Sequence, residues 1–230
     1  MNTKNFTPES TINEIVQEDV HRAALFDELG LDFCCGGAKP LKDACRERDL
    51  DPEEILEKIS SLDNESLPPP ATDLQDISTT ELVDHIESTH HEYIKSATPG
   101  LLELAKKVAG VHGDRRPELT ELKEKVMALA EDLGPHLMKE ERVLFPLIRK
   151  LEGSLKNGGM IEGPISVMKM EHDHVGRLLQ QIDRLSGKYT VPSDGCESYR
   201  TYMEKLKEFV EDLRLHIHKE NNILFARITG

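Results

Sequence analysis

The chain has 230 residues, with 29 Lys and Arg against 43 Asp and Glu, giving a formal net charge of −14. That balance argues against nucleic acid or an anionic membrane surface as a partner. No run of roughly 18 apolar residues occurs and the polar start Met1-Asn-Thr-Lys-Asn lacks an apolar signal region, so a cytoplasmic protein without a membrane span is expected.

The four cysteines are then expected to be reduced rather than paired. Aromatic residues are few, tryptophan is absent, and Leu, Glu and Lys dominate, which favours helices over sheets. Thr11-Ile-Asn-Glu14 has the form of a capping box, and Ile12, Ile15, Val16, Val20, Ala23 and Ala24 recur at helical spacing up to Leu29-Gly30. Pro40 opens a short second helix reaching about Arg48. Asp51-Pro52 is an N-cap followed by proline at the first helical position, and it starts a third helix carrying Ile55 and Ile59. Residues 1–60 therefore form a predicted small helical domain, and residues 61–77, with Pro68-Pro69-Pro70, a proline-stiffened linker.

Residues 78–230 hold four long helical patterns. The first runs from Thr79 to about Gly110, with a kink expected at Thr98-Pro99-Gly100. The second extends from Arg116-Pro117 to about Lys150, the third from Gly163-Pro164 to near Gly187, and the fourth from Ser193 almost to the C-terminus. Loops rich in Gly, Asp and Ser join them. The fold class read from this pattern is all-α, a four-helix up-down-up-down bundle preceded by the small helical domain.

Two stretches of the bundle echo each other: His136-Leu-Met-Lys-Glu140-Glu-Arg-Val-Leu-Phe145 and His216-Ile-His-Lys-Glu220-Asn-Asn-Ile-Leu-Phe225. Each sets a glutamate one helical turn after a histidine, on the side that also carries Leu129, Leu133 and Leu147, or Phe209, Leu213 and Ile223. On the third helix His172 shares a face with Ile165, Met168, Val175 and Leu179. On the first, at about 100° per residue, His90 lies on the face of Val83, Ile94, Ala97 and Leu101, whereas His85 and His91 point elsewhere. His90 precedes His172 by 82 residues, close to the 80 that separate His136 from His216. The same arithmetic turns His174 and His218 outward, and His21 and His112 read as solvated, His112 at a loop that flanks an access route.

Four imidazoles and two carboxylates facing inward are too many for one tetrahedral zinc ion, and too rich in nitrogen for calcium. Two first-row ions fit better. If Glu140 and Glu220 bridge, and one oxo or hydroxo group joins them, each ion has five ligands and one open position. Such a mixed N/O set suits non-haem iron, with manganese as the other candidate.

The bundle resembles a hemerythrin-like di-iron domain. Together with Cys34-Cys35-Gly36-Gly37, with Gly163-Pro-Ile-Ser-Val-Met168 leading into Glu171-His172-Asp173, and with the two His-x-x-x-Glu copies, the chain resembles the Repair of Iron Centers family over roughly residues 5–228. That resemblance implies His90, His136, Glu140, His172, His216 and Glu220 as ligands of two iron ions. It also implies a role in restoring iron–sulfur clusters damaged by nitric oxide or peroxide. The chain departs from the oxygen-carrying hemerythrins at Gly176, where those have a further histidine, and at Asn221, where they have an aspartate. A looser, more open site suits an iron donor better than an oxygen carrier.

Adjacent Cys34 and Cys35 are poorly placed for a structural disulfide. In a turn near a helix N-terminus they are candidates for reactive thiols or transient iron ligands, with two small buried hydrophobes as the other reading. Glu171, beside His172, is a candidate proton acceptor behind the ligands. The functional expectation is a di-iron protein that repairs iron–sulfur proteins damaged by nitrosative or oxidative stress by supplying iron, rather than a classical enzyme. The alternatives are reduction of nitric oxide at the two irons, or a sensor or carrier of oxygen or nitric oxide. A homodimer is compatible with the sequence.

Overall fold

The computed structural model describes residues 6–63, 74, 76–152 and 161–229. The small domain begins with α1 (Ile12–Glu18), whose N-cap Thr11 and third residue Glu14 close both bonds of a capping box. A second helix, α2 (Arg22–Leu29), follows and ends at Gly30, which supplies the left-handed φ of 71°. One continuous helix is expected here from the sequence, but the chain breaks at Asp19, which is extended. The Asp19 carboxylate accepts the His21 backbone N–H at 2.9 Å and faces the His21 ring at 2.7 Å, a local bond that competes with the helix. Buried Arg22 spans the break and donates to the Ile15 carbonyl at 2.9 Å. Next come α3 (Leu41–Arg46) and α4 (Pro52–Asp63). The proline run of the expected linker lies outside the described residues.

Four rods build the bundle. The first is α5 (Thr79–Ile86) and α6 (Glu92–His112), joined by a π-helical turn at Glu87–His91. The second is α7 (Glu118–Lys139) and α8 (Phe145–Leu151) around a π-turn at Glu140–Leu144. The third is α9 (Glu162–Leu185). The fourth is α10 (Glu197–His218) and α11 (Phe225–Thr229) around a π-turn at Lys219–Leu224. Helices α6 and α7 run through Pro99 and Pro135 without interruption. The first rod packs against the second and the fourth, and the second against the third. Among the described residues no helix is long and apolar enough to cross a membrane.

Two apolar clusters fill the interior. One holds Leu82, Ile86, Leu144, Phe145, Met168, Ile223 and Phe225; the other holds Ile94, Leu133, Val175, Leu179, Leu213 and Ile217 and continues into Ile12, Ile15 and Phe26 of the small domain. The small domain thus shares the bundle's core, and truncating fully buried Phe26 to Ala costs about 3–5 kcal/mol. Between the clusters, on every rod, lies a buried polar layer.

Candidate metal centre

In that layer two groups of four buried side chains come together: His91, Glu140, His216 and Glu220, and His136, Glu140, His172 and Glu220. The two glutamates belong to both groups. Glu140 Oε2 lies 3.5 Å from His91 Nε2, while its Oε1 lies 3.3 Å from His136 Nε2. Glu220 Oε1 is 3.1 Å from His216 Nε2, and its Oε2 is 3.1 Å from His172 Nε2. Each carboxylate therefore offers one oxygen to each half, and the halves are related by the repeat seen in the sequence.

The side chains behind the rings fix which nitrogen faces inward. His91 Nδ1 lies 2.8 Å from Glu141 Oε1, and His136 Nδ1 lies 2.8 Å from Glu171 Oε2. A carboxylate can only accept, so Nδ1 holds the proton and Nε2 turns its lone pair inward. His172 Nδ1 lies 2.8 Å from Asn221 Oδ1, whose amide is oriented by donation from Asn221 Nδ2 to the Cys34 carbonyl at 3.3 Å. The Nε2 atoms then meet in pairs, His91 with His216 and His136 with His172, each at 3.2 Å. Among the described residues only these ring nitrogens face the glutamates: all four carboxylate oxygens are buried with no hydrogen-bond partner of good geometry, and so is His216 Nδ1. Lone pairs facing lone pairs in a dry core are costly unless cations sit among them. The donor set fits two cations of the first-row type.

Without a cation, protons take their place. Burial opposes charging His136, but the Glu140 carboxylate beside it wins and holds the ring up at about 9. His216 is raised in the same way against its own burial, chiefly by Glu220. Burial also opposes the charge on Glu220, yet His216 and His172 keep it well below the usual carboxylate range.

On the first rod the structure differs from the sequence reading. His91, not His90, joins the cluster. His90 is also buried, but both its nitrogens are engaged elsewhere: Nδ1 lies 2.8 Å from Asp212 Oδ1, and Nε2 accepts from buried Lys219 Nζ at 2.7 Å. The cause is the π-turn, in which the Glu92 N–H bonds the Glu87 carbonyl and one extra residue enters the turn. Helical-wheel arithmetic at a uniform angle slips by one position across it. The His136-to-Glu140 spacing escapes this error because the Glu140 N–H still bonds the His136 carbonyl in α-helical fashion. The His90-His91 doublet signals the ambiguity, but each ring has a carboxylate behind it, Asp212 or Glu141, so only the register at the π-turn separates the two.

His218 is likewise not solvated. It is buried, its Nδ1 lies 3.2 Å from the Phe33 carbonyl, and burial pulls its pKa down to about 4. His174 is exposed beside Asp132. His112 bonds the exposed Cys196 at 3.2 Å, at the far end of α6 from the cluster.

The Cys34-Cys35 turn lies directly against the centre. Cys35 Sγ is 3.4 Å from the carbonyl of His172, and Asn222 Nδ2 donates to the carbonyls of Phe33 and Cys34 at 3.2 and 3.1 Å. Gly176 makes room for it, since a Cβ there would come within 3.2 Å of Cys35 Sγ. The expected helix N-terminus does not act on Cys34. Its thiol is pushed well above the ordinary range by its bond with Cys35, by burial and by Asp32.

Comparison with known proteins adds the following. Residues 79–228 match the hemerythrin HHE cation binding domain, and residues 8–63 match a domain of unknown function, DUF542. The chain is 37% identical over 204 residues to a probable iron-sulfur cluster repair protein of Haemophilus influenzae, covering 89% of both chains. It is 36% identical over 219 residues to the iron-sulfur cluster repair protein YtfE of Dickeya chrysanthemi, covering 95% of this chain and 96% of the relative. With YtfE of Yersinia pseudotuberculosis it shares 37% over 203 residues, 88% of this chain and 89% of the relative.

Proposed function

The chain belongs to the family of iron-sulfur cluster repair proteins with a hemerythrin HHE cation-binding domain, and from that premise we propose that it repairs damaged iron–sulfur clusters in the cytoplasm by supplying iron from the bundle. The observation that carries this reading is the set of four partnerless, fully buried carboxylate oxygens of Glu140 and Glu220 among inward-facing imidazoles. His91 and His216 would hold one iron ion and His136 and His172 the other, with both glutamates and an oxo or hydroxo group bridging them. Bound there, the ions supply an exchangeable iron store next to a thiol pair.

The remaining work falls to the chain. Glu141, Glu171 and Asn221 keep the proton on the outer nitrogen of three rings, so that each Nε2 stays a donor to the ion. The apolar clusters on either side keep water out and hold the rotamers. The Cys34-Cys35 turn, at the carbonyl of His172, is where an ion leaving the bundle meets its first soft ligands. Partners in this reading are iron–sulfur proteins damaged by nitric oxide or peroxide.

The test uses the iron-loaded protein with a dehydratase whose cluster has been damaged. Restored dehydratase activity, with iron moving from one protein to the other, is expected. Recovery no better than with free ferrous salt, or sustained nitrous oxide production with no iron transfer, would refute the donor role.

A further inference from the structure

Beside the bundle centre is a second group of metal-ligating side chains, formed by Asp32, Cys34 and Cys35, whose ligand atoms all lie within 4.8 Å of one another. Resting on the donor reading above, we infer that these three residues form a separate site for a single thiophilic divalent cation, ferrous iron in that setting, at which one ion is held between the bundle and the outside.

The spacing of the donors is that of a preformed chelate. The two sulfurs lie 3.8 Å apart, and Cys34 Sγ lies 3.3 Å from Asp32 Oδ1. A tetrahedral ion with metal–sulfur bonds of about 2.3 Å and a metal–oxygen bond of about 2.0 Å has edges of about 3.8 Å between sulfurs and about 3.5 Å between sulfur and oxygen. The sulfur–sulfur edge and the edge from Cys34 Sγ to Asp32 Oδ1 are within a few tenths of an ångström of these values. Backbone bonds hold that geometry in place: Asp32 Oδ1 accepts the N–H groups of Cys34 and Cys35 at 3.1 and 2.9 Å, which locks the carboxylate beside the thiols. A carboxylate oxygen has lone pairs to spare for an ion as well. Two sulfurs and one oxygen select a soft or borderline ion and disfavour magnesium or calcium.

Position gives the site its use. On one side Cys35 Sγ touches the main-chain carbonyl of His172, a side chain of the bundle cluster. On the other, Asp32 and Cys34 line a cleft of about 630 Å³ between the small domain and the bundle, together with Gly176, Arg48 and Arg184. With Asp32 and Cys34 on its wall, the cleft is the route by which an acceptor's own ligand would reach an ion held there. Two thiolates and a carboxylate leave the divalent site one negative charge in excess, and the basic side chains lining the cleft, Arg48 and Arg184 among them, outnumber its acidic ones other than Asp32 by five to four. The transfer changes no oxidation state: the ion exchanges imidazole and carboxylate bonds for two sulfur bonds and one oxygen bond, and the two thiol protons pass to water in the cleft.

Cobalt(II) is the probe, added under anaerobic conditions to the full chain without iron. Cobalt among the bundle's nitrogens and oxygens has no thiolate charge-transfer absorption, whereas cobalt at the turn has it, so one titration counts the two sites separately. We expect two thiolate-free equivalents and a further one with thiolate absorption. Cys34→Ser and Cys35→Ser should each abolish that absorption, and Cys196→Ser should leave it intact. Asp32→Asn keeps the oxygen that caps the turn, so the fold stands, but cobalt binding at the turn should weaken by at least about tenfold. Absence of the thiolate absorption, its insensitivity to Asp32→Asn, or its loss only in Cys196→Ser would overturn the site. Loss of the two thiolate-free equivalents with the thiolate band intact would instead remove the bundle reading and leave the turn site standing.

Discussion

The two halves of the bundle centre have the same inner donors and different outer support. His136 and His172 are both held from behind, by Glu171 and Asn221, and Asn221 in turn holds the cysteine turn. In the other half only His91 has such a partner, at Glu141. His216 Nδ1 has none; its ring is held by stacking on His90, with centroids 5.6 Å apart. A duplicated bundle thus carries one half tied by hydrogen bonds to the small domain and one half in which a single ring, His91, is held from behind by a hydrogen bond and the other, His216, by packing. The lesson is that symmetry of ligands does not bring symmetry of support: the half that holds His172 is the one whose backbone meets the Cys35 thiol, at 3.4 Å.

Breaking what the halves share has the largest effect. Glu140→Ala or Glu220→Ala removes an oxygen donor from both halves at once, and metal analysis should show a fall from about two ions per chain to less than about half an ion. Retention of both ions would undo the bridging geometry. Next comes the contrast on the first rod. His91→Ala should lose one ion, whereas His90→Ala should retain both and instead destabilise the fold by about 1–3 kcal/mol in denaturant unfolding, because Asp212 loses its imidazole partner and buried Lys219 keeps only His85 as acceptor. Equal metal loss in the two variants would contradict the register seen at the π-turn.

That contrast also marks how far the sequence was legible. The bundle, its four rods and the two His-x-x-x-Glu copies were readable because α-helical periodicity holds from His136 to Glu140, and because the apolar residues around them follow the same stripe. The single histidine of the first rod was not, since the π-turn adds a residue that no periodicity announces. His218 misled for a related reason. It faces away from the cluster, but that direction is covered by Phe33 of the small domain, and sequence alone could not say where that domain docks. Asp32 and Asn222 were overlooked because their partners are backbone groups of a turn, which leave no pattern in composition.

Smaller effects sharpen the comparison. Glu171→Gln and Asn221→Ala should each weaken metal binding by about 10- to 100-fold, read by competition with a chelator, and in the half containing His136 and His172. Acid should loosen both halves. His136 carries a proton below about 9 when no cation is present, so uptake must displace it, and affinity should fall as pH drops through the range from 9 to 6. Affinity independent of pH there would mean that His136 is not a ligand. The smallest change is Gly176→Ala. Its methyl meets Cys35 Sγ at 3.2 Å, while alanine in a helix gains up to about 1 kcal/mol over glycine, so stability should stay within about 1 kcal/mol of the parent. The measurable consequence is a changed rate of Cys35 alkylation, and an unchanged rate would show that the thiol does not rest against Gly176.

One measurement reaches the central claim directly: a crystal structure of the iron-loaded protein with the metal located by anomalous scattering. It should place two ions about 3.5–4 Å apart between Glu140 and Glu220, one on His91 and His216 and the other on His136 and His172. A single ion, or an ion bound through His90, would contradict it.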